Sequence, residues 1–256
     1  MNIAPNRDRE PGEEELPRMG FFDHLEELRR RLIWSILAVA IAFVGAWTYS
    51  PTLFHWIEQP ILPYLPKGNH LAFTTMPEPF ILYFRVALYG GLIVASPFLL
   101  WQVWLFIVPA LYRRERRYAV PFIVVTALFF LTGCAFGYFV AFPRVCQFLV
   151  GMGTQTGFTP VITVNEYLSM ASKIIFGLGL CFELPILVFF LARIGLVTER
   201  FLLAKFKYAV LLIFVIAAVI TPTPDMMTQC VFALPMIALY LVGILIAWVF
   251  RRRAPA

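Results

Sequence analysis

Apolar residues along this chain gather into six long runs, separated by short segments rich in proline, charge or both. The runs predict membrane-spanning helices over about 32–49, 79–108, 118–142, 165–193, 208–221 and 226–250. At ~1.5 Å per residue, the first covers most of a ~30 Å hydrocarbon core before Pro51 stops it. The second is longer than a perpendicular crossing needs and carries Pro97 near its middle, so it should be tilted and kinked. In the third, Gly133 and Gly137 form a small-xxx-small pair that permits close helix packing. The fifth has only about thirteen uninterrupted apolar residues, Tyr208 to Ile220, and reaches ~20 Å, so it should thin or strain the bilayer. Thr221 to Asp225 is so short a connection that the last two spans must form an antiparallel hairpin. Between Pro51 and Pro79, repeated prolines predict an ordered loop that caps the outer face.

Composition agrees: 61% of the 256 residues are hydrophobic, 14% are charged, and mean hydropathy is +0.79. A soluble chain needs more polar surface. The formal charge of +6 would suit a nucleic-acid binder, but the cations flank apolar runs. Arg29 to Arg31 precede the first and Arg251 to Arg253 follow the last, while Arg113, Arg114, Arg116 and Arg117 share one connection and Arg193, Arg200, Lys205 and Lys207 another. This pattern puts both termini in the cytoplasm, with no nucleic-acid partner implied. Residues 1–20 hold Pro5, Pro11, Pro17 and an acidic cluster without the apolar core of a cleavable signal, and read as a disordered cytoplasmic tail. Residues 21–250 form one six-span domain, and 251–256 a second cytoplasmic tail. Cys134, Cys146, Cys181 and Cys230 have no metal or disulfide spacing and read as small buried hydrophobes.

Few residues offer chemistry. Helical spacing pairs Glu26 with Arg30 and Glu27 with Arg31 as surface salt bridges worth ~0.2 to 0.5 kcal/mol each; His24 and Glu27 are too few donors for a metal site. Glu115 stands among four arginines, either softening their repulsion or forming with Glu27 an acidic site for a cationic ligand, for which arginine is the best match. Glu183, deep in the fourth run before Pro185, costs roughly 2.5 to 3.5 kcal/mol as a charge and must face protein or water or be protonated. Lys173 lies ~15 Å away along the helix and snorkels outward. Gln102, Thr221, Thr228 and Gln229 either bond neighbouring helices or dock another membrane helix.

The stretches His24 to Arg31, Trp104 to Tyr112 running into Glu115-Arg116-Arg117, Phe182 to Pro185, Thr221 to Asp225 and Pro235-Met236 together resemble the TatC family, the C subunit of the twin-arginine protein translocase. The resemblance implies an all-α, six-span protein with a glove-shaped helix arrangement in the bacterial cytoplasmic membrane. It would be a receptor for twin-arginine signal peptides of folded precursors, not an enzyme, using no cofactor and driven by the proton-motive force. Its expected partners are single-span subunits of the TatA and TatB type and further copies of itself. Carried over by residue, Glu27 and Glu115 receive the two arginines, with Phe106 and Arg29 beside them. Glu183 is the intramembrane glutamate, Pro60 and Asp225 are outer-loop positions, and Thr221 with Gln229 form the polar patch for partner helices. Leu241 stands where the family often has a glutamate. The rival reading is a proton-coupled secondary transporter using Glu183, although no internal repeat supports it; an intramembrane hydrolase lacks a catalytic constellation.

Overall fold

The computed structural model describes residues 21–65, 71–107, 119–157, 161–193, 195–221 and 225–249. The two terminal tails, Arg113 to Arg117 with Glu115, and Pro222 to Pro224 lie outside them. Among the described residues the regular structure is helical, apart from one isolated bridge that pairs Ala72 with Thr163 across the two outer loops.

The first span is α1, Phe21–Thr48. It is followed by a short helix where a loop is expected: α2, Ser50–Glu58, with Pro51 in its first turn. Proline is tolerated there because the first N–H groups of a helix have no internal acceptor, so Pro51 ends one helix and opens the next. Pro60 then closes α2 and turns Ile61, 1% exposed, into the core.

The second span is α3, Glu78–Ile107. Pro97 leaves the carbonyl of Ile93 without its helical donor, and the buried Ser96 hydroxyl donates to that carbonyl at 2.7 Å. A helix break at membrane depth is thereby satisfied locally.

The third span continues well past 142. It runs as α4, Ala119–Phe136, through a π turn, Gly137–Ala141, into α5, Phe142–Gln155. The wider π turn absorbs the missing N–H of Pro143, so the helix does not end at the proline. Apolar Phe142, Val145, Cys146 and Val150 of α5 face inward, while Arg144 and Gln147 are exposed.

The fourth run divides into α6, Val164–Cys181, and α7, Leu184–Arg193. A small helix, α8, Glu199–Ala204, leads to α9, Phe206–Ile220, and α10, Met226–Val249, completes the chain. Five spans are long and apolar enough to cross a membrane and α9 is a shorter sixth.

The main packing contacts follow the order α1, α3, α4, α6 with α7, α10, α9, with further contacts of α3 with α6 and of α5 with α10. Phe43 of α1 sits against Gly91 of α3, where an added Cβ would lie 2.8 Å from the Phe43 backbone nitrogen. At Gly133 of α4 an added Cβ would lie 2.7 Å from the Leu178 carbonyl of α6, so the glycine pair does bring two backbones together. Cys134, Cys146 and Cys181 are buried in this region and all four cysteines are free.

The outer cap is fastened by tyrosines. Tyr138 donates to the Trp56 carbonyl and Tyr167 to the Ile57 carbonyl, each at 2.6 Å, which satisfies two acceptors in the last turn of α2. Tyr167 is fully buried. Tyr167→Phe should therefore lower stability by about 1 kcal/mol, because it removes the fully buried tyrosine's hydrogen bond to the Ile57 carbonyl. Thermal unfolding in detergent checks this, and an unchanged midpoint would remove the cap from the account of stability.

Candidate functional site

At the cytoplasmic end of the α1–α3 pair, Glu27 accepts from Arg31 through Oε1, the i,i+4 ion pair expected from spacing. Its second oxygen, Oε2, is buried and has no hydrogen-bond partner among the described residues. Glu26, Arg29 and Arg30 are exposed.

Helices α1 and α3 run antiparallel, with Phe43 beside Gly91 and the Trp47 ring 5.9 Å from that of Phe80. Sixteen residues back from Phe43 is Glu27, and sixteen on from Gly91 is Ile107. Glu27 and the half-buried Phe106 thus share a level. Glu115 follows eight residues after Ile107, on the segment that leaves this point. This level holds a carboxylate with one open oxygen on α1 and Phe106 on α3, with the exposed Arg29 two residues on from Glu27. A buried carboxylate oxygen with no donor is a place for an incoming cation or N–H group.

Glu183 lies in the two-residue break between α6 and α7. Its N–H bonds the Leu180 carbonyl at 3.1 Å, one residue short of helical spacing, while its own carbonyl accepts from Ile186 and Leu187. Pro185 has no N–H for the Cys181 carbonyl, and the chain turns there instead of continuing one helix. Side-chain Oε1 of Glu183 is buried without a partner among the described residues. Glu27 and Glu183 are thus the two carboxylates with an unmatched buried oxygen there.

At the outer end of the α9–α10 hairpin the polar residues are engaged within the chain. Thr221 is only 7% exposed, and its hydroxyl reaches the Ala218 carbonyl at 3.4 Å. Gln229 donates from Nε2 to the Phe214 carbonyl at 2.8 Å. Asp225 accepts the Thr228 N–H at 2.8 Å and also the Thr228 hydroxyl, the geometry of a helix cap. The two helix ends that flank the hairpin connection thus satisfy polar groups within the chain.

Pattern analysis passes over two charged residues of α3. Glu78, buried in the first turn, accepts N–H groups of Thr74 at 2.6 Å and Thr75 at 3.2 Å. Arg85, two turns further in, donates to Asn165 Oδ1 of α6. A guanidinium inside an apolar run is the signal that could have found it.

Fold and site define a polytopic helical membrane protein whose conspicuous polar groups are a surface carboxylate beside the first two spans and a lone glutamate at a helix break. Residues 23–235 match the family described as Sec-independent protein translocase protein (TatC), and the chain belongs to that family. The Sec-independent protein translocase protein TatC of Koribacter versatilis is 47% identical over 240 residues, covering 92% of this chain and 88% of that one. Its counterpart from Desulforapulum autotrophicum is 40% identical over 233 residues, covering 91% and 86%. A crystal structure of the twin-arginine translocase receptor TatC superimposes with a TM-score of 0.77 at 36% identity, covering 88% of this chain and 98% of that one. The protein is accordingly a multi-pass translocase component of the cytoplasmic membrane, and the small-molecule transporter reading is not favoured.

Loss of the hairpin cap gives a test separate from any ligand. Asp225→Ala should destabilise the fold by about 1 kcal/mol and Asp225→Asn by much less, since Asn still accepts an N–H at this position. Equal thermal midpoints for the two variants would show that the carboxylate acts otherwise.

Proposed function

We propose that the chain is the core receptor subunit of the twin-arginine translocase, binding twin-arginine signal peptides of folded precursors at its cytoplasmic face. The observation that carries this reading is the open, buried oxygen of Glu27 at the level of Phe106, on the helix pair that leads to Glu115. Each ligand guanidinium presents a planar fork that a carboxylate accepts in two parallel bonds. Glu27 receives one arginine, exchanging or sharing its Arg31 partner, and Glu115 the other. Phe106 supplies an apolar edge, and Arg29 at the rim repels cationic ligands that cannot offset it with bidentate bonds to the carboxylates.

The receptor performs no covalent chemistry of its own and takes no cofactor; transport draws on the proton-motive force. It works with single-span partners of the TatA and TatB type and with further copies of itself. Thr221 and Gln229 mark the hairpin end where a partner helix docks, and Asp225 and Pro60 hold the outer loops in shape. Residues 1–20 and 251–256 are cytoplasmic tails of the six-span domain.

Either Glu27→Ala or Glu115→Ala should weaken signal-peptide binding roughly tenfold or more, since ~1.4 kcal/mol is a decade in affinity. Lys at Glu115 should be worse than Ala. Titrating labelled peptide against the single and double variants at two salt concentrations checks this; unchanged affinity in the double variant leaves both acids as salt-bridge partners.

Glu183→Ala should leave insertion and peptide binding mostly intact while reducing export, with Gln milder than Ala if hydrogen bonding is its role. Export at the wild-type rate in the Ala variant would make Glu183 structural.

A further inference from the structure

Short α9 leaves part of α6 uncovered. Ile220, the last residue of α9, packs against Gly177, where an added Cβ would lie 3.0 Å from Ile220 Cδ1. Gly177 is thirteen residues into α6, so about 20 Å of that helix, from Val164 inward, extends beyond the end of α9. A cavity of about 440 Å³ opens over this stretch. Arg85, Glu166, Ser169 and Lys173 line it, Asn165 stands beside Arg85, and Met170 and Ile220 give it apolar walls.

The charges in this cavity do not match one another. Arg85 is half-buried and donates to the neutral amide of Asn165. Among the described residues no carboxylate lies within ion-pair distance of Arg85 or Lys173, and Glu166 has no cation. Nearby Glu78 already accepts from the Thr74 and Thr75 backbone. Arg85 and the exposed Lys173 both stand on apolar, span-length helices, where a cation without an anion is costly.

We propose that this cavity binds the headgroup of an outer-leaflet phospholipid, with ethanolamine preferred over glycerol. The order of groups along α6 matches such a lipid from water inward. Glu166, nearest the outer end, takes the ammonium. Arg85 and Lys173, with the Ser169 hydroxyl, take the phosphate, the guanidinium through its free N–H donors. Met170 and Ile220 meet the start of the acyl chains where the short hairpin ends. The lipid fills the space that a full-length α9 would occupy, and it holds the outer leaflet down at the hairpin tip. The site is independent of signal-peptide recognition, which lies at the opposite end of α3.

Native mass spectrometry of the purified protein in detergent tests the site, with phosphatidylethanolamine, phosphatidylglycerol and inorganic phosphate as separate probes. Wild type should hold one phosphatidylethanolamine in preference to phosphatidylglycerol, with inorganic phosphate far weaker. Arg85→Gln and Lys173→Gln should each lose tenfold or more in lipid affinity. Arg144→Gln, which removes an exposed cation of α5 outside the cavity, should stay within twofold of wild type. Glu166→Gln should abolish the preference for ethanolamine yet retain phosphatidylglycerol. If Arg85→Gln does not fold, Arg85→Lys, which keeps the charge and loses the fork, should still weaken binding severalfold. Undiminished binding in the Lys173 and Arg85 variants, an equal loss in Arg144→Gln, or free phosphate binding as tightly as lipid would overturn the proposal. A zero-length crosslink from Lys173 to an acidic residue of a partner helix, with no lipid retained, would also overturn it.

Discussion

Backbone meets backbone where α4 crosses α6, because Gly133 and Gly137 carry no side chain to hold the helices apart. Lipid tails are as apolar as leucine, so helices in a membrane associate through close van der Waals packing and polar contacts. This crossing places Phe130 and Cys134 against Gly179 and brings the Phe136 and Phe182 rings to 5.6 Å. It also holds Tyr138 and Tyr167 where both can reach the last turn of α2, so the outer cap depends on it. A residue larger than glycine at position 133 would separate the helices and loosen the cap above them.

Each interruption of a span is met by a local device, as a medium without water requires. Ser96 serves the carbonyl freed by Pro97, and a π turn accommodates Pro143. Thr221 and Asp225 close the two helix ends of the final hairpin. The break at Phe182-Glu183 is different in kind. The Glu183 N–H and carbonyl are both bonded, but the break leaves a buried carboxylate oxygen without a partner among the described residues. Stability alone would favour an apolar residue there, so the cost of Glu183 is a reason to look for its role in transport.

Polar groups concentrate at opposite ends of the α3 helix. At the cytoplasmic end Glu27 of the neighbouring α1 keeps a buried carboxylate oxygen without a partner among the described residues; near the outer end Arg85 faces a cavity beside the end of α9. Helix α1 packs almost entirely on α3, and α9 reaches only part of the way along α6, which leaves both regions with few covering helices.

Hydropathy and proline act over a few residues, and what depends on them was legible in the sequence. The six spans, the shortness of α9 and the Glu27–Arg31 pair all follow from spacing along the chain. Helix α2 was not legible, because its carbonyls are held by Tyr138 and Tyr167, each more than eighty residues away. Nor was the inward turn of Thr221, which only the packing of α9 determines. The Arg85–Asn165 bond joins residues eighty apart, and the cavity beside it exists because α9 stops opposite Gly177. Sequence alone thus determined which segments enter the membrane, since that is a local transfer free energy. Tertiary structure decided which of their polar groups are left without partners, since that depends on which helices meet and how closely.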